Sequence, residues 1–73
     1  MIENINDKYI KFKCPFTSED NLSSWIPNTR YRLTGKDDKS YYIGRHNLKP
    51  YRISKELEED VYEIGDIQIK DRR

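Results

Sequence analysis

Arg30-Tyr31-Arg32-Leu33-Thr34-Gly35-Lys36-Asp37-Asp38-Lys39-Ser40-Tyr41-Tyr42-Ile43-Gly44-Arg45 reads as two strands joined by a turn. Tyr, Ile, Leu and Thr favour a pleated, half-buried surface, and they flank a polar stretch from Gly35 to Ser40. Gly tolerates left-handed backbone and Asp bonds to its own backbone, so the stretch suits a tight turn. With Asp37-Asp38 at the tip, Leu33 faces Tyr42, Arg32 faces Ile43 and Arg30 faces Arg45. This register sends Tyr31, Leu33 and Tyr42 to the core and gathers Arg30, Arg32, Thr34, Tyr41, Ile43 and Arg45 on the other face. Two arginines directly opposite cost up to ~1 kcal/mol. An anion or an acidic surface lying between them would offset that cost.

Upstream, Ile10, Phe12 and Cys14 alternate with Lys11 and Lys13, which predicts a strand over 8–16 with Cys14 as core filler and Pro15 as its stop. Thr17-Ser18-Glu19-Asp20 has the hydroxyls and acids of a helix start, and Leu22, Trp25 and Ile26 follow at helical spacing, enough for one or two turns before Pro27. Downstream, His46 to Pro50 is a connector and Tyr51-Arg52-Ile53 a short strand. Ser54 then caps a helix over 55–64, with Leu57, Val61 and Ile64 on one stripe and Gly65 at its end. A competing reading makes 61–64 a strand after a charged turn. Asp66-Ile67-Gln68-Ile69-Lys70 alternates as a last strand. The resulting expectation is an α+β domain spanning 1–73, with 1–7 a loose polar lead-in. It would have three to five short antiparallel strands, barrel-like, and one C-terminal helix.

A chain of 73 residues makes one small domain that buries only roughly 60% of its unfolded surface, so a partner or a second copy could add stability. Ala is absent while Ile occurs nine times, a composition that leans towards sheet and matches AT-rich coding, as in a phage or mobile element. The single Cys14 precludes an internal disulfide. Glu3, Asp7 and Lys8 interrupt any leader, and no apolar run approaches the roughly 20 residues of a membrane helix. A soluble, cytoplasmic chain with no membrane contact is the expectation.

Charge is sorted along the sequence. Residues 30–55 carry eight Lys or Arg against two acids, a net of +6, whereas 56–73 carry seven acids against three bases, a net of −4. Residues 1–29 add −1, which brings the total to +1. The basic segment also holds Tyr31, Tyr41, Tyr42, Tyr51 and the only histidine, His46. Cations mixed with rings attract phosphates or acidic surfaces. The acids could pack beside the basic hairpin and neutralise it within the chain.

Catalysis and cofactors find little support. Cys14 and His46 lack a third group to form a nucleophilic unit, two Cys/His residues cannot supply a four-ligand zinc site, and the three glycines are isolated rather than forming a phosphate loop. The expectation is a non-catalytic protein-binding module without cofactor, an inhibitor or adaptor that meets an acidic surface of a larger protein. Arg30, Arg32, Tyr41, Arg45, His46, Lys49 and Arg52 are its candidate contacts. The alternative is a nucleic-acid-binding module using segment 30–52, against which the small net charge weighs.

Overall fold

A computed structural model describes residues 2–67. The described residues form eight short strands: β1 (Glu3–Asn4), β2 (Lys8–Phe12), β3 (Phe16–Thr17), β4 (Ser24–Trp25), β5 (Arg30–Lys36), β6 (Ser40–Arg45), β7 (Leu48–Ser54) and β8 (Tyr62–Asp66). The main sheet runs β7-β6-β5-β2-β8, and β3 pairs only with β4. Strand β5 changes partners along its length, joining a β8-β2-β5 part of the sheet to a β5-β6-β7 part. Arg30 to Arg32 pair with β2, while Leu33 to Lys36 pair with β6 on one edge and, at Gly35 and Lys36, with β1 on the other. The sheet curls around one core of Ile10, Phe12, Trp25, Leu33, Ile43, Ile53 and Tyr62. The last seven-residue connection then brings the chain from the β7 edge to the β8 edge. There the Tyr62 hydroxyl donates to the Ser54 carbonyl at 2.6 Å, and the Tyr41 and Tyr62 rings meet edge to face at 6.4 Å. Strands β7 and β8 are not hydrogen-bonded to each other as a ladder, so the sheet remains open between these edges.

The expected α+β class is corrected to mainly β, with eight strands among the described residues. The predicted helix over 55–64 is absent. Lys55–Leu57 form a single 3-10 turn capped by the Ser54 hydroxyl, Glu59 takes φ 77°, and β8 begins at Tyr62. A helix would set Glu56 against Asp60 and Glu59 against Glu63 as like-charged i, i+4 pairs. It would also leave Tyr62, fully buried in the fold, off the Leu57–Val61–Ile64 stripe. The strand reading of this segment is the one realised. Ile67 follows β8, and the rest of the expected final strand, 68–70, lies outside the described residues.

The short helix expected around 17–26 is instead the β3–β4 hairpin. Asp20 Oδ1 accepts the Leu22 N–H, Ser18 Oγ accepts the Ser23 N–H, and Asn21 adopts φ 61°. Such local side-chain bonds compete with helix formation. Leu22 and Ile26 are exposed, so the apolar stripe is not a core face, whereas Phe12, Phe16 and Trp25 stack together. Strand β2 ends at Phe12, and Cys14 is exposed rather than core filler. The lead-in supplies β1, which lies end to end with β2 along β5.

The central hairpin forms, but in a different register. Asp37 N–H donates to the Ser40 carbonyl, and the Asp37 carboxylate accepts the Lys39 and Ser40 N–H groups and the Tyr42 hydroxyl. The tip is therefore Asp38-Lys39. Leu33 then pairs with Ile43 and Gly35 with Tyr42, leaving Thr34 as an extra residue on β5. This bulge packs Thr34 against Gly44, where a Cβ would come within 2.9 Å of Thr34 Cγ2. A one-residue slip exchanges faces. Ile43 is fully buried and Tyr42 turns outward, the reverse of the expected arrangement.

Candidate binding face

The bulge in β5 helps to divide the seven residues singled out in the sequence among five places. Arg30 and Arg32 alternate on the outer face of the β8-β2-β5 sheet, opposite the buried Tyr31 and Leu33 side. Arg45 is largely enclosed by other residues. It pairs with Asp20 at 3.0 Å, its Nε donates to the Lys49 carbonyl at 2.7 Å, and its guanidinium lies 5.7 Å from the Tyr51 ring centre. Only 9% of its side chain is exposed. Asp20 is pushed down to about 2 by the Ser18 hydroxyl, the Leu22 N–H and Arg45.

Arg52 lies on the outer face of the β6–β7 sheet, where its Nε donates to Ser40 Oγ at 2.8 Å beside the Tyr42–Asp37 pair. Tyr41 points inward towards Tyr62 and carries Lys55 Nζ 5.1 Å from its ring centre; burial raises its phenol pKa. His46 occupies the exposed β6–β7 turn beside Asn47 (φ 61°), and Lys49 is exposed nearby. The single face expected to hold Arg30, Arg32, Tyr41 and Arg45 is thus not formed. The bulge at Thr34 and the change of partners along β5 separate these residues.

What surrounds Arg30 and Arg32 comes from β2 and β8. Register sets Glu63, Lys11 and Arg30 in one row across the outer face, and Gly65, Tyr9 and Arg32 in the next. Tyr9 lies flat over Gly65, where an added Cβ would sit 2.3 Å from Tyr9 Cζ. The Arg30 guanidinium stands 4.7 Å from the Tyr9 ring centre, within cation–π range. Arg32 Nη2 reaches only the Asn6 carbonyl, at a long 3.5 Å. A shallow cleft runs between Tyr9, Arg30, Tyr31 and Arg32 towards Asp66 and Ile67. At its end Lys8 closes on Asp66, an ion pair that raises the lysine pKa.

Neither ion pair among the described residues, Lys8–Asp66 and Arg45–Asp20, involves Arg30 or Arg32. The acidic run Glu56, Glu58, Glu59 and Asp60 occupies the connection into β8 and pairs with neither arginine. Among the described residues no acidic helix packs beside the basic hairpin, and the nearest acid to Arg30 by register is Glu63, opposite Lys11.

Tyr9 and Lys11 were not among the sequence candidates. Their alternation with Ile10 and Phe12 already places them on the outer side of β2. That β2 lies against the Arg30–Arg32 half of β5 is a long-range pairing with no local signal. No family model and no curated protein matches this sequence, and no solved structure matches this fold.

Proposed function

We propose that this chain is a non-catalytic binding module that docks the outer face of its β8-β2-β5 sheet onto an acidic surface of another protein. The carrying observation is the exposed Arg30–Arg32 pair on one face, beside Lys11 and with no carboxylate partner among the described residues. Uncompensated like charge close together is unfavourable until an anionic surface meets it, and complementary potential also speeds encounter. Arg and Tyr are the side chains that most often anchor protein interfaces. Covering an acidic patch of a larger protein is how such a chain would act as an inhibitor or adaptor, the kind of small product a phage encodes.

The state of Tyr9 favours protein over single-stranded nucleic acid as the partner. Binding bases by stacking requires a bare aromatic face. Tyr9 covers Gly65 and carries Arg30, so this surface offers no free ring for a base. The overall charge of +1 also gives little counterion-release drive.

The test is capture of a partner from lysate of the native host, with and without nuclease, by the wild type and by the Arg30→Glu/Arg32→Glu double variant. A discrete protein band that survives nuclease and disappears with the double variant is expected. A band that the double variant still captures removes this face from the account. A signal lost on nuclease treatment assigns the face to nucleic acid.

A further inference from the structure

Resting on that reading, the geometry points to a particular kind of epitope: we propose that Arg30 and Arg32 form a two-point clasp for an extended acidic segment whose carboxylates alternate, acid–x–acid. Both arginines leave the same side of β5, two residues apart. Strand rise puts their Cα atoms about 6.7 Å from each other. Successive same-side residues of an extended partner segment repeat at the same distance, so two carboxylates at i and i+2 meet two guanidiniums in step. Contiguous acids do not, because every second side chain of an extended segment points away.

The two arginines are held differently, and this gives the clasp its order. Gly65 lacks the Cβ that would lift Tyr9, so the ring lies down on β8 and provides a platform for Arg30. The cation–π contact with Tyr9 restrains the Arg30 guanidinium, and a guanidinium suits a planar, bidentate acceptor. Less side-chain freedom is then lost on binding. Arg32, with only the distant Asn6 carbonyl as a partner, is the adaptable second point. Lys11 stands between Arg30 and Glu63 in the neighbouring row, with an acid on its far side. The Lys8–Asp66 pair closes the cleft at the end next to Arg32. These boundaries restrict the site to two anionic groups rather than an extended track of phosphates.

The experiment titrates the intact chain at low salt with three fluorescein-labelled probes, followed by anisotropy. One is a short peptide of alternating Glu and Thr; another has the same composition with its Glu residues contiguous; the third is a short oligothymidylate. The alternating peptide is expected to bind about fivefold more tightly than the contiguous one, the worth of one or two well-aligned exposed charge contacts. Arg30→Ala/Arg32→Ala, both exposed positions, should abolish that preference without unfolding the chain. Equal affinity for the two peptides, lost together in the double variant, overturns the clasp while leaving the acidic-surface reading in place. No binding of either peptide, or tighter binding of oligothymidylate that depends on the same arginines, overturns both.

Discussion

Replacing Ile43 and Tyr42 in turn tests the register on which the binding face depends. Ile43 is fully buried between Leu33, its partner on β5, and Tyr51, its partner on β7. Ile43→Ala removes three carbons, a transfer loss of about 2.4 kcal/mol at ~0.8 kcal/mol per carbon. The cavity left behind brings the cost to about 3–4 kcal/mol. A domain of 73 residues has a total stability of roughly 4–10 kcal/mol, so a third or more would vanish. Tyr42 points outward, and Tyr42→Ala chiefly removes its 2.8 Å, partly solvent-exposed hydrogen bond to Asp37, a clearly smaller loss than that of the buried isoleucine. Urea unfolding followed through Trp25, the one tryptophan and 4% exposed, reads both values. If Tyr42→Ala costs as much as Ile43→Ala, the bulge at Thr34 is misplaced, and with it the turn that separates Arg30 and Arg32 from Arg45.

Two further outcomes follow from the packing. Gly65→Ala should displace Tyr9 from β8 and release Arg30 from its ring, costing about 1 kcal/mol through overpacking. The Arg30 side-chain NMR signals should then lose their ring-current shift, and an unchanged spectrum would contradict the stack. Asp20 is held down to about 2 by Ser18, Leu22 and Arg45. A depressed folded pKa contributes stability that is complete above the unfolded value, about 4, and disappears as pH falls through the folded one. Unfolding midpoints should therefore drop between about pH 4 and pH 2. Asp20→Asn should remove part of that pH dependence, and a variant whose acid profile matches the wild type would refute the clamp on Arg45.

The strands were legible wherever alternation was strict, as at Ile10 and Phe12 and in the Tyr31–Leu33 stretch of β5. A period of two is a local property and survives any long-range arrangement. Elements set by competition between local and distant terms were not. Leu57, Val61 and Ile64 carry a real helical stripe, but the alternative buries Tyr62 and avoids two like-charge pairs, and that balance depends on contacts with β2 and β6. Phe16 and Trp25 read as a strand end and a helix residue until their shared stacking partner, Phe12, is placed. The bulge at Thr34 shows itself only in the fit of Thr34 against Gly44. The charge pattern grouped Arg30, Arg32, Arg45, Tyr41 and Arg52, whereas in the fold Arg45, Tyr41 and Arg52 contact Asp20, Tyr62 and Ser40 and stand apart from Arg30 and Arg32. Those partners lie 25, 21 and 12 residues away, beyond the reach of pattern reading.

The most direct test of the central claim is a backbone amide NMR map of the isotopically labelled chain with the partner recovered by capture. Shifts concentrated at Tyr9, Lys11, Arg30, Arg32 and Gly65, and weakened as salt rises, are the predicted result. Shifts confined to β7 and the 3-10 turn after it, around Tyr51, Arg52 and Leu57, with this face unmoved, would contradict it.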